Sequence, residues 1–194
     1  MTADEAATVA LQALVAALEN LHRPAMIIGG FGVIARGAPR TTLDIDATVW
    51  GEGLDIQQTV GVLAGHGIAP RVDDAVAFAH EHQVLLLRHE PSGTPIDLTL
   101  AWLPFEQQAL ARATRVDFGG ISAPVALPED LIVYKAVAWR DQDRADIERL
   151  VRLHHREIDV ARVRGLVAQF AAALDAPERM AEFEAILARV TPRP

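Results

Sequence analysis

The sequence predicts an α+β chain: a mixed α/β core followed by a helical C-terminal portion. Three observations carry this prediction. Before residue 128, short apolar runs alternate with helical patterns, punctuated by turns rich in Gly and Pro. After Pro128, four successive segments repeat apolar residues at helical spacing. No internal repeat or low-complexity linker separates the two parts, so the expected division is 1–127 for the core and 128–194 for the helical portion.

The elements follow in order. Leu11, Leu14, Val15, Leu18 and Leu21 recur at helical spacing and predict an amphipathic helix over 4–22, stopped by Pro24. Ala25–Ile28 reads as a short buried strand, and Gly29-Gly30 turns the chain into a brief helix that ends near Gly37-Ala38-Pro39. Ile45–Trp50 is the next strand and Leu54–Ala64 the next helix, closed by Gly65-His66-Gly67. Gln83–Arg88 and Pro95–Leu100 read as strands on either side of Pro91-Ser92-Gly93-Thr94. Residues 104–112 look helical, and Thr114–Phe118 with Ile121–Val125 suit a hairpin about Gly119-Gly120. Glu129–Trp139, Asp141–Leu153, Val160–Leu174 and Pro177–Val190 are the four terminal helices.

Composition excludes several function classes. The net charge of −8 argues against broad electrostatic binding to a nucleic-acid backbone. The charge is uneven: residues 1–127 hold seven basic and 14 acidic side chains, residues 128–194 hold 11 and 12. The later part therefore meets an anionic partner more easily. Cysteine is absent, which removes disulfides, thiolate zinc sites and cysteine nucleophiles. The acidic start and the lack of a long apolar run lead to the expectation of a soluble, cytoplasmic protein with no membrane partner. The Arg and Ala bias fits a GC-rich bacterial genome. Lys135 is the only lysine, and it lies between Tyr134 and Ala136, so no Walker A loop exists.

The chemistry concentrates in Ile27-Ile28-Gly29-Gly30 and Arg40-Thr41-Thr42-Leu43-Asp44-Ile45-Asp46. Residues i and i+2 of a strand share a face, so Asp44 and Asp46 project together at a strand start. Adjacent carboxylates repel, and a divalent cation relieves this; Mg2+ takes a few carboxylates together with phosphate oxygens. Gly29 and Gly30, lacking Cβ, let a triphosphate approach backbone N–H groups. A lone D-x-D equally fits a turn cap followed by an exposed strand residue. Asp97 shifts that balance: it lies in an otherwise apolar and β-branched strand, where an acid must face water, a partner or a metal. Three such carboxylates can hold two metal ions and deprotonate an attacking hydroxyl.

These residues resemble the nucleotidyltransferase superfamily with the polymerase-beta-like fold. Its pattern is a strand, Gly-Gly or Gly-Ser, a short helix, Asp-x-Asp, and a third acid on a later strand. Thirteen residues separate Gly30 from Asp44, as the short helix and loop require. The sequence is further similar to small bacterial transferases related to the AbiEii-type toxins, in which an Arg and a Thr precede the acids, as Arg40 and Thr42 do here. In those proteins a later helix carries a Lys before an Arg/Asp-rich segment, matched by Lys135 and Arg140-Asp141-Gln142-Asp143-Arg144-Ala145-Asp146. The matches span roughly residues 25–150.

The resemblance implies a mixed sheet flanked by helices, with the helical portion completing the cleft. It implies transfer of a nucleoside monophosphate from an NTP, ATP among them, to a hydroxyl acceptor, with release of pyrophosphate. Asp44 and Asp46 would bind two Mg2+ ions, or Mn2+, and Asp97 would bind one and act as general base. Gly29, Gly30, Arg40, Thr42 and Lys135 would contact the nucleotide. The acceptor is tRNA or a protein, with a cognate antitoxin as partner in a toxin–antitoxin pair. The alternatives are an aminoglycoside-like antibiotic acceptor, or a catalytically weak member acting as binding partner or antitoxin.

Competing motifs are weaker. Gly30-Phe31-Gly32-Val33-Ile34-Ala35 satisfies G-x-G-x-x-A, but Gly37-Ala38-Pro39 ends the helix early and the acids open the second strand instead of closing it. His80-Glu81-His82 and His154-His155 lack a third zinc ligand at known spacing. Ser92 lies in a turn with no nucleophile elbow. The Arg residues after 140 are interleaved with acids and read as ion-paired helix faces or as a phosphate contact. Lys135 reads as an ordinary solvent-facing lysine or, in a chain that otherwise uses Arg, as a point contact to phosphate.

Overall fold

The structure is a computed structural model and describes residues 2–190. The chain divides into two compact units: residues up to Phe31 with Thr41–Ala126, and Gly32–Arg40 with the residues from Leu127 onward.

The first unit is a seven-stranded mixed sheet with helices on it. In chain order it holds α1 (Ala3–Asn20), β1 (Ala25–Ile27), the start of α2 (Gly29–Ala35), β2 (Ile45–Trp50), α3 (Ile56–Ala64), β3 (Ile68–Pro70), α4 (Ala75–His82), β4 (Val84–His89), β5 (Thr94–Ala101), α5 (Pro104–Arg112), β6 (Thr114–Asp117) and β7 (Ser122–Val125). The strand order is β3-β4-β5-β2-β1-β7-β6. The β2–β5 and β1–β7 pairs are parallel and the remaining pairs antiparallel.

α1 begins at a reciprocal cap: the Thr2 side chain accepts from the Glu5 N–H while the Glu5 carboxylate accepts from the Thr2 N–H. It buries Leu11, Leu14, Val15 and Leu18, the predicted stripe. The central strands are two-faced, as period-two alternation demands. Ile45, Ala47 and Val49 of β2, with Ile96 and Leu98 of β5, are fully buried on one face. Asp46 and Asp97 lie on the other and are half-buried.

Two elements escape the sequence reading. β3 has only three residues, too few for a periodic signal. α4 starts at Asp74, which adopts φ 48° and accepts a hydrogen bond from the Ala77 N–H. His82 of α4 packs on Phe78 with ring centroids 4.3 Å apart. Ser92 sits in the β4–β5 turn, bonded to the buried His89 at 2.8 Å and to Thr94 at 2.9 Å.

The second unit holds α6 (Pro128–Ala138), α7 (Asp141–His154), α8 (Val160–Ala173) and α9 (Glu178–Val190), with the rest of α2. α6 packs on α7 and α8, and α9 on both of those. Leu131, Ile132 and Val133 of α6, Ile147 and Leu150 of α7, Val163 of α8 and Phe183 of α9 are fully buried. Segment 32–40 contributes Val33 and Ala38 to the buried set, and the Arg36 carbonyl lies 2.8 Å from His154 Nε2. The later arginines form ion pairs within the unit, including Arg152–Glu148, Arg162–Asp130 and Arg164–Glu184. No helix among the described residues is long and apolar enough to cross a membrane.

Candidate active site

The parallel pairing of β2 with β5 places Asp46 and Asp97 as direct Cα partners. Asp44 precedes β2 by one residue and is exposed. Two carboxylates directly opposite each other repel, so something must compensate them. β1 and β2 run antiparallel, and the Ile28 N–H donates to the Asp46 carbonyl at 3.0 Å. The chain then turns at Gly29, with φ +56°. A Cβ on Gly29 would overlap the Asp46 carboxylate, so glycine is required twice over, for conformation and for space. The Gly30 N–H donates to Asp46 Oδ2 at 3.4 Å.

Each acid is turned toward a group from the chain. The Thr42 hydroxyl donates to Asp44 Oδ1 at 2.8 Å. Arg71, the residue after β3, donates from its guanidinium to Asp97 Oδ1 at 2.6 Å. Sequence reading missed Arg71, because the strand that delivers it carries no signal of its own. The first unit thus sets Gly29 and Gly30 against Asp46, Asp46 opposite Asp97 and Arg71 on Asp97, and pairs Thr42 with Asp44 just before β2.

As oriented, no group of three His, Asp or Glu side chains among the described residues is set to hold a metal ion. The donors nonetheless fit magnesium in kind: the hard carboxylates of Asp46 and Asp97 stand on paired backbone positions, with a glycine that leaves Asp46 room and Asp44 two residues before it.

The other two expected residues, Arg40 and Lys135, meet in the second unit. Lys135 is buried, and its Nζ lies 2.9 Å from Asp143 Oδ1 and 3.2 Å from Asp146 Oδ2. Arg40 donates to the same Asp146 oxygen at 2.6 Å, and Arg149 to the other at 3.1 Å. Arg140 closes the set by donating its backbone N–H and Nε to Asp143 Oδ2 at 3.0 and 2.7 Å. Burial pushes the Asp143 carboxyl up, but bonds from Arg140 and Lys135 outweigh it and hold the group below the usual carboxylate range. Burying one ammonium among acids is affordable because each partner neutralises the other. The solvent-facing reading of Lys135 is therefore corrected: it lies in the core of a charge cluster.

The fold, a seven-stranded mixed sheet with helices, is shared with solved structures. Residues 99–179 match the family described as "nucleotidyl transferase of unknown function (DUF2204)". Among solved structures, the solution structure of the antibiotic-resistance factor ANT(2'')-Ia is similar, with TM-score 0.59, 19% identity, and 91% of this chain and 97% of that chain covered. The crystal structure of ANT(2'')-Ia in complex with adenylyl-2''-tobramycin is similar at TM-score 0.58 and 18% identity, over 87% of this chain and 99% of that one. No curated protein matches the sequence.

Proposed function

We propose that this protein is a metal-dependent nucleotidyltransferase that moves a nucleoside monophosphate from an NTP to a hydroxyl acceptor and releases pyrophosphate. The observation that carries the reading is the in-register placement of Asp46 opposite Asp97, beside Gly29-Gly30. Asp44, Asp46 and Asp97 would hold two Mg2+ ions, or Mn2+, which neutralise charge on the transferring phosphate when bound. Asp97 takes the proton of the acceptor hydroxyl, and Thr42 orients Asp44 through its 2.8 Å hydrogen bond. Gly29 and Gly30 let the triphosphate approach the backbone.

Arg40 and Lys135 are paired with Asp143 and Asp146 inside the second unit, so a nucleotide contact for them rests on the family resemblance alone. In-line phosphoryl transfer asks mainly for positioning and charge neutralisation, which Asp44, Asp46, Asp97 and the ions they would hold would supply.

The acceptor reading favoured by the Arg40–Asp46 and Lys135–Asp146 motifs is tRNA or a protein side chain, as in the toxin-like transferases, with an antitoxin as partner. A small antibiotic is the second reading, favoured by the likeness to a structure that holds adenylyl-2''-tobramycin.

The test is incubation with α-labelled NTPs, Mg2+ and, in turn, tRNA, a lysate protein fraction and tobramycin. Label moving to one acceptor, lost in Asp46→Asn and Asp97→Asn, is the expected result. Transfer unaffected by both substitutions sinks the site. Absence of any metal-dependent NTP binding favours the binding-partner alternative.

A further inference from the structure

We propose that Arg71 is the built-in counter-ion of Asp97, and that it competes with a divalent cation for that carboxylate. The inference rests on the reading of Asp44, Asp46 and Asp97 as metal ligands.

The sheet itself delivers the contact. Pro70, the last residue of β3, pairs with Leu87, and the Arg71 N–H donates to the Leu86 carbonyl at 3.0 Å. Leu86 in turn is the Cα partner of Asp97 on β5. Arg71, Leu86 and Asp97 therefore lie in a row across three strands, and the arginine stem spans one strand to reach the acid at 2.6 Å. The next position in that row is Asp46, the like-charged partner of Asp97. Arg71 thus places a cation against the row of two acids, on Asp97.

One guanidinium carries a single delocalised charge, and it engages one oxygen of one acid. A dication between the strands can serve two or three carboxylates at once, so it is the stronger claimant. Arg71 is also free to leave. Its side chain is 32% exposed and that of Asp97 33%, so water can replace either partner at small cost. Contrast the buried Lys135–Asp143 pair, at 7% and 1%, where no such exchange is open. The arrangement predicts a residue that stabilises the acid row on its own and yields it when metal binds.

The experiment is calorimetric titration of the full chain with Mn2+. Arg71→Gln and Arg71→Met, the latter keeping the stem over Leu86, should each bind Mn2+ about two- to fivefold more tightly than wild type. Arg71→Lys restores the charge and should return the affinity close to the wild-type value. In chelator, both neutral variants should melt below wild type, and Mn2+ should raise their melting temperature by a larger increment. Asp97→Asn serves as reference and should weaken Mn2+ binding. If Asp97→Asn weakens it while both neutral Arg71 variants bind as wild type or more loosely, the competition idea is overturned and the metal site stands. If Asp97→Asn binds Mn2+ unchanged, the metal-site reading fails and this inference with it.

Discussion

The two units use aspartate in opposite ways. In the second unit, Asp143 and Asp146 are essentially inaccessible and are surrounded by Lys135, Arg40, Arg140 and Arg149. In the first, Asp44, Asp46 and Asp97 are exposed or half-buried, and Arg71 pairs with one of them, Asp97. A saturated buried cluster couples a helix pair to the segment that carries Arg40 and becomes structural. Acids set directly opposite each other on paired strands repel and gain little for stability, and a cation placed between them would relieve that repulsion. The difference teaches that charge balance and burial together separate a structural set of carboxylates from a chemical one.

The sharpest way to break this comparison is to remove one acid from each set. Asp146→Ala leaves the Lys135 and Arg40 side chains, 7% and 9% exposed, without a shared counter-ion. The expected loss is about 3–5 kcal/mol in denaturant unfolding. Asp46→Asn removes a repulsion instead and should change stability by less than about 0.5 kcal/mol, or raise it. Equal losses in the two variants would show that the acid row is as structural as the buried cluster.

Glycine gives a second, smaller contrast. Gly29, in the first unit, has φ +56° and its missing Cβ leaves room for the Asp46 carboxylate. Gly37, in the second, has φ +87° and nothing within 4 Å of a Cβ. Both alanine variants carry the strain of a left-handed backbone, about 1 kcal/mol or more. Only Gly29→Ala must also displace Asp46, so it should be the more destabilised of the two in urea and should lose Mn2+ affinity. If the two variants unfold alike, the Asp46 carboxylate has room to move aside, and the close fit at Gly29 is unimportant.

Much of the first unit was legible because strand physics is local. Asp44 and Asp46 at spacing two, an acid in an apolar strand at Asp97, and a double glycine after Ile28 are all readable without tertiary information. The register that sets Asp46 against Asp97 is not, since it depends on the crossover between β2 and β5. Arg71 was illegible because a three-residue strand has no periodicity to betray it. The membership of 32–40 in the helical unit was illegible for another reason. It is made by packing, with Val33 and Ala38 buried and Arg40 tied to Asp146 more than a hundred residues on. Lys135 shows the limit of pattern reading on helices. α6 buries residues on nearly every side, so no polar face distinguishes a solvent lysine from a core one.

Acid titration offers the finest test of the contrast between units. Burial works against the charged form of Asp143, but Arg140 and Lys135 hold its carboxyl below the ordinary value. Glu148 is held low first by Arg189 and then by Arg152, and Glu184 by Arg164. All three lie on α7 or α9 of the second unit. A carboxylate held low in the fold binds fewer protons there than in the unfolded chain, so stability falls as the pH falls. The contribution is complete above the unfolded value of about 4 and drains away below it, until the folded group is itself protonated. The reporters are conveniently divided, with Trp139 in the second unit and Trp50 and Trp102 in the first. Single-tryptophan variants followed by fluorescence below about pH 4 should show Trp139 responding first. Asp143→Asn should flatten that early response and leave the Trp50 and Trp102 transitions in place. Simultaneous change at all three tryptophans, unaffected by Asp143→Asn, would mean that the buried cluster does not set the acid stability of its own unit.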